Sequence, residues 1–247
     1  MFSRRKREPV APEQDAVVDR VLCISVVTML GAITDGLAEG TMDEGQAARY
    51  LTESHRWLIR ENLAHALSRC ERALIAKALP DWTPAESLVA GWRNESVGVL
   101  LWALSALEDM PPYDARCERL PAVTPLLAPT AGFRASASLR SQEAIERARG
   151  LAELWHWRAR ARQLHEREPQ TGGHDHDAIA RQAAALAYAE GAIAQPIDGD
   201  FPAYGKPYRE LDADEYSAVS SNAAERHYAL NWLSGYASDW DSVPTGT

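Results

Sequence analysis

Read for the spacing of its apolar and polar positions, the chain divides into helices with clear punctuation. Apolar residues recur at helical spacing from Asp15 to Leu37, and Gly40 stops the run. A second helix opens at Thr41 or Asp43 and is expected to continue, with a bend, through Arg56 to Leu79, where Pro80 closes it. Thr83, Pro84, Ala85 and Glu86 form a capping box with proline at the first helical position, launching a helix to about Leu107. The stretch Met110 to Thr130 carries five prolines and cannot be a regular helix. Ser141 opens the next helix, which passes Leu164 and runs toward Pro169; Asp175 or Asp177 caps another, to about Ala194. Asp212 and Glu215 form a second box, and a last helix follows to about Tyr236.

Within this series, Gly150 to His165 reads as the central helix. Leu151, Leu154, Trp155 and the stem of Arg158 make one stripe, and Trp157, Ala161 and Leu164 make a second, rotated away from it. A helix apolar on two faces is wanted by the core on two sides. The expected centre contains Trp92, Leu100, Trp102, Leu154, Trp155, Leu230 and Leu233. No alternation of β-branched and polar residues lasts beyond a few positions, so no strand is expected. The predicted fold is all-α: a single multi-helix domain over residues 15–247, with residues 1–14 as a disordered tail. A Pro-rich internal linker and an ordered C-terminal loop interrupt it. That loop, Gln195 to Leu211, holds Phe201, Tyr204 and Tyr208, which would otherwise be stranded in water.

Composition narrows the class. With 46% hydrophobic and 25% charged residues the chain is an ordinary globular one, and its formal charge of −9 argues against nucleic-acid or anionic-membrane binding. An acidic surface suits a basic protein partner. The three cysteines, Cys23, Cys70 and Cys117, lie mostly in helical or apolar runs; they read as small core residues in a reducing compartment. The basic Ser3 to Arg7 precedes an apolar run from Val21 to Thr34, but Asp15, Asp19 and Arg20 intervene and no small-residue cleavage pattern follows. The run is too short for a bilayer span. The expected location is therefore the cytoplasm.

The candidate chemistry is sparse. Glu153 and His156 have the Glu-x-x-His spacing of di-iron bundles, yet no second such pair exists; Glu225 and His227 are two apart and diverge. The His174 to Asp177 run lacks supporting residues and reads as a solvated helix start. No phosphate loop, nucleophile elbow or Cys-x-x-Cys pair appears, so no cofactor and no metal is expected. Glu95 shares a stripe with Trp92, Val99 and Trp102 in a helix that is apolar on its other side too, so its carboxylate should be at least partly buried. Arg93 points away from it, leaving Arg158, Arg226 or His227 as partners. Any site in this chain would gather Glu95, Glu153, His156, Arg158, Glu225 and His227 between three helices.

The runs WRNESVGVLLWAL from Trp92, PPYD from Pro111, AELWHWRAR from Ala152, DFPAYGKPY from Asp200 and ERHYALNWLSG from Glu225 occur in that order, followed by Trp240, Asp241, Pro244 and Thr245. In this combination the chain, from about residue 16 to its end, resembles the uncharacterised bacterial family catalogued as domain of unknown function 4272. Members of that family typically close on Pro-Thr-Asp-Thr; this chain has Pro244, Thr245, Gly246 and Thr247, without the aspartate. The resemblance implies no activity and transfers no catalytic residue. Two readings of function follow from the residues: a non-enzymatic interaction or accessory protein, of immunity type among others, and an enzyme of unrecognised class built on the Glu/His/Arg cluster.

Overall fold

The computed structural model describes residues 10–117, 123–167 and 176–246. It is a single, mainly α domain. The helices are α1 (Gln14–Ala38), α2 (Glu44–Arg60), α3 (Arg69–Ile75), α4 (Pro84–Ala103), α5 (Ala131–Ser136), α6 (Gln142–Arg167), α7 (His176–Ala189) and α8 (Ala213–Leu233).

The helix at the centre is α1 and not α6. Val17, Val21, Leu22, Ile24, Leu30 and their neighbours are buried around its circumference, because α4 lies along one side and α2 and α3 along others. At the closest approach Gly31 faces Ala90, where a Cβ would sit 2.8 Å from the Ala90 Cβ. The whole helix is longer than its apolar run, and by length and composition it could cross a membrane; in this fold, most of that window is buried inside the protein.

Both capping boxes form as the sequence dictates, with Thr83 Oγ1 accepting from the Glu86 N–H and Asp212 accepting from the Glu215 N–H. Several helix ends differ from expectation. The helix from Pro84 stops at Ala103, four residues early, because Ser105 takes a left-handed turn (φ +58°) and the Ala106 N–H bonds back to the Leu101 carbonyl. The long helix expected from Thr41 to Leu79 is broken into α2 and α3. Asn62 (φ +56°) closes α2 in the same way, and Ser68 with Glu71 forms a capping box that starts α3.

The second layer is α6 packed against α8, with α8 also against α4. Only one face of α6 is buried, through Ile145, Ala148, Ala152, Trp155, Arg158 and Ala159. Of the second stripe, Trp157 is half-buried and Leu164 exposed, so the two-sided burial inferred from the pattern does not occur. Alanines carry the α7 contact, with Ala180, Ala184 and Ala187 buried, and the helix ends at Ala189 rather than Ala194. Trp155 anchors an aromatic cluster: Tyr113 stacks on it at 4.9 Å and Phe201 meets its edge at 5.3 Å. Leu100, Leu230 and Leu233 are buried with it, whereas Trp92, Trp102 and Leu154 are partly buried.

The loop from Gln195 to Leu211 is ordered around buried Phe201 and Tyr208; Tyr204 is 41% exposed and sits at a hairpin turn. That hairpin pairs β1 (Pro202–Ala203) with β2 (Lys206–Pro207), two short strands that no periodicity could reveal at this length. At the other terminus, residues 10–13, assigned above to the tail, pass beside Gly235. With φ +76° and the Ala11 nitrogen 2.6 Å from where its Cβ would stand, that position admits only glycine.

Candidate functional site

The six sequence candidates are brought to the junction of α4, α6 and α8 and its edges, where they divide into separate pairs. Glu95 and Arg226 form the most buried one: Arg226 Nε and Nη2 donate to Glu95 Oε2 at 3.0 and 2.8 Å, and neither residue is more than 2% exposed. The rest of each side chain faces the Pro-rich segment. Arg226 donates to the Pro111, Pro112 and Ala115 carbonyls at 2.6, 3.2 and 2.8 Å, and Glu95 Oε1 accepts the Cys117 N–H at 2.9 Å. Asn222, one turn before Arg226, donates to the Tyr113 and Ala115 carbonyls. The linker is thus held by α4 and α8 through its own backbone.

Arg158 makes a second buried pair, with Asp200. Both guanidinium donors reach the carboxylate at 2.7 Å, and Asp200 also accepts the N–H groups of Phe201 and Arg209. Burial would raise this carboxyl's pKa, but the Arg158 guanidinium and the two backbone donors override it and hold it below the usual range. Asp200 was not among the sequence candidates. Its signal was its place beside a phenylalanine too apolar to be exposed in a turn-rich loop.

The two histidines meet across α6 and α8, with Nδ1 to Nδ1 at 3.0 Å. Their protonation follows from the far end of the chain of bonds. The Asn231 amide nitrogen donates to the Pro244 carbonyl at 2.7 Å, which fixes its orientation; its other proton faces His227 Nε2 at 3.0 Å. His227 Nε2 is therefore an acceptor, Nδ1 carries the proton, and His156 Nδ1 receives it. Burial first, and the neighbouring His156 second, push the His227 pKa down to about 4; burial and Arg160 lower that of His156. Both rings are neutral at pH 7.

Glu153 and Glu225 point elsewhere. Glu153 is paired with Arg149 on its own helix at 3.0 Å and is half exposed. Glu225 takes Arg93 at 3.0 Å and the Ser96 hydroxyl at 3.0 Å, while the Arg93 guanidinium lies 4.6 Å over the Tyr228 ring. The Glu-x-x-His pair therefore does not converge on one point. Among the described residues no group of three or more His, Cys, Asp or Glu side chains is placed to hold a metal ion. His174 and Asp175 lie outside the described residues.

Glu95 and Arg158 each edge a cavity, and not the same one. Glu95 edges a space of about 620 Å³ with Thr28, Trp92 and Cys117, whereas Arg158 edges one of about 330 Å³ with Arg162 and Arg209. The Cys117 thiol is pushed up to about 12 by burial and by the Glu95 carboxylate, so it is protonated and not a nucleophile at neutral pH. A third space, of about 470 Å³, is a groove between α3, α4 and the turn at Trp240–Ser242 that contains none of the six. Its floor is apolar, and Leu88 (62% exposed) and Val89 (52% exposed) stand on the same stretch of α4.

A model of the family described as a domain of unknown function, DUF4272, matches residues 2–190. The runs from Asp200 onward, including the closing Pro-Thr-Gly-Thr, lie beyond the matched residues. No curated protein and no solved structure matches the chain.

Proposed function

The chain belongs to the DUF4272 family, a domain of unknown function, and we propose that it acts by binding a protein partner, as a helical interaction or accessory protein, and not by turning over a substrate. The observation that carries this reading is the groove beside Leu88 and Val89. It is apolar inside, through Val27, Leu74, Val89 and Trp240, and edged by the ion pairs Lys77–Glu86 and Arg93–Glu225. An apolar pocket within a charged rim is how a protein surface receives an anchoring side chain of a partner. The net charge of −9 favours a partner with a basic surface around that anchor. Three free cysteines suit a reducing, cytoplasmic setting.

An enzyme would need the Glu, His and Arg candidates to converge on one reacting atom. Their division into pairs, each occupied by structural hydrogen bonds, supports the binding reading instead. The test is to cross-link the protein in its native host, identify the partner and rebuild the complex from purified components. A stoichiometric complex that Val89→Asp weakens at least tenfold, with an unchanged melting temperature, is the expected result. A turnover activity that Glu95→Gln abolishes without loss of stability would overturn the reading.

A further inference from the structure

We infer that Asn231 is a proton-operated latch: when His227 takes up a proton, the Asn231 amide turns over and lets go of the Pro244 carbonyl, freeing the end of the C-terminal tail. The latch is built from one line of contacts. The His156 and His227 rings have centroids 5.3 Å apart and Nδ1 to Nδ1 at 3.0 Å, so the two nitrogens lie between the rings and face each other. On the far side of His227, the Asn231 amide nitrogen donates to Nε2 at 3.0 Å and to the Pro244 carbonyl at 2.7 Å. Among the described residues, that last contact is the one hydrogen bond made by residues 244–246.

The place of an added proton follows from where the others sit. At neutral pH the pair holds one ring proton on His156 Nε2 and one in the Nδ1–Nδ1 contact, while His227 Nε2 accepts from Asn231. A contact of 3.0 Å between two nitrogens holds one proton and has no room for a second. While that contact stays intact, an extra proton comes to rest on His227 Nε2, whichever ring it first reaches. There it meets the Asn231 NH₂ group, donor against donor. Asn231 carries the alternative: its Oδ1 is buried and has no hydrogen-bond partner among the described residues. Turned over, the amide presents Oδ1 to the Nε2–H and, by the same rotation, to the Pro244 carbonyl, two acceptors with no proton between them. The carbonyl must withdraw. A buried acceptor with no other explanation is thus the second position of the latch.

The surroundings set where the latch operates. Burial, His156 and Arg149 oppose a charge on His227, Glu153 and the Asn231 hydrogen bond favour it, and the balance lies at about 4. Arg160 acts on His156 in the opposing sense. Arg93 and Glu95 of α4 are taken up by Glu225 and Arg226, and the tail presents the neutral Pro244 carbonyl. Linkage makes the coupling reciprocal: a tail held down keeps the proton off His227, and a tail pulled away lets it on. The turn before the tail is held separately, by the Tyr228 hydroxyl on the Trp240 carbonyl and by Asp241 on the Cys70 N–H, so the release is confined to the residues that follow.

Nuclear magnetic resonance on the full chain tests the inference. As the pH is lowered from neutral through the His227 titration, the heteronuclear NOE of Thr245 and Gly246 should drop along the same curve as the His227 ring shifts, while the Trp155 and Trp240 indole signals keep their positions. In His227→Gln the NOE should stay high over the same range. Asn231→Asp places a carboxylate where the turned amide would put its oxygen. It should raise the pH at which His227 titrates by about one to three and lower the Thr245 NOE already at neutral pH; where this variant does not fold, the parent titration decides alone. A tail that stays ordered while His227 titrates would overturn the inference, as would loosening in His227→Gln at the parent midpoint. So would an ordered tail in folded Asn231→Asp, or loss of tail and indole signals together in one transition.

Discussion

Glu95→Gln is the substitution that best separates a structural carboxylate from a catalytic one. The carboxylate accepts three hydrogen bonds, two from Arg226 and one from the Cys117 N–H, on opposite oxygens. Glutamine keeps the shape but has one acceptor atom. If its oxygen faces Arg226, its NH₂ is pressed against the Cys117 N–H; if it faces Cys117, the NH₂ meets a guanidinium. Either way one buried donor is orphaned, at about 1–3 kcal/mol, and Arg226 loses its counter-charge. Removing one member of a buried pair costs about 3–5 kcal/mol, but here the Pro111, Pro112 and Ala115 carbonyls still solvate the guanidinium. The lower end, about 3 kcal/mol, is therefore the expected loss.

For a chain of this length about 3 kcal/mol corresponds to roughly 6–12 °C in melting temperature, which differential scanning calorimetry reads directly. Glu153→Gln is the internal control, because its partner Arg149 shares its helix and Glu153 is half exposed; it should change stability by less than about 0.5 kcal/mol. A Glu95→Gln melting temperature within about 2 °C of the parent would refute the structural role. Unchanged or raised stability is what a strained catalytic carboxylate would give.

Three further outcomes are expected. Trp155→Ala should lose about 3–5 kcal/mol in urea unfolding, since the ring is stacked on Tyr113 and edged by Phe201; a loss below about 1 kcal/mol would contradict that packing. Truncation after Tyr236 should lower the melting temperature by several degrees at least, because it removes buried Trp240, its contacts with Tyr228 and Trp232, and the Asp241 carboxylate that accepts the Cys70 N–H; a melt matching the full chain would mean the tail adds nothing. His227, whose folded pKa lies at about 4 against 6.5 unfolded, contributes stability that is full above pH 6.5 and is lost as pH falls toward 4, by up to about 3 kcal/mol; in His227→Gln the pH dependence of urea stability over that window should flatten, and an unchanged slope would show the ring to be solvated.

Local signals made much of the fold legible. Thr83 with Glu86, and Asp212 with Glu215, mark helix starts through groups three residues apart, so the sequence alone carries them. Glu95 could be recognised as buried because its neighbours on the helix are apolar, and Arg226 stood among its possible partners. What pairs with what was beyond reach: Arg158 with Asp200, His156 with His227 and Arg93 with Glu225 join residues 42, 71 and 132 positions apart. Periodicity reports which face of a helix is apolar and not which helix it meets, which is why the tryptophans of α6 suggested two buried faces while α1, with its evenly apolar run, took the centre.

The same distances explain why polar groups are threaded through this core. Helices satisfy their own backbone, whereas long irregular connections leave N–H and C=O groups that need partners once covered. In this chain charged side chains supply many of them. Arg226 takes carbonyls of the Pro-rich segment, Glu95 the N–H that follows, Asp200 two N–H groups of the C-terminal loop, and Arg140 the carbonyl of Trp102 in the last turn of α4 and those of Leu107 and Glu108 beyond it. A charge makes each such bond about twice as strong as a neutral one. Pairing a cation with an anion, as in Glu95–Arg226 and Arg158–Asp200, removes the net charge that burial would penalise. Residues that look like the parts of an active site in the sequence thus satisfy the irregular connections of this helical fold, and on the binding reading proposed above the place to seek a partner is the apolar groove beside Val89.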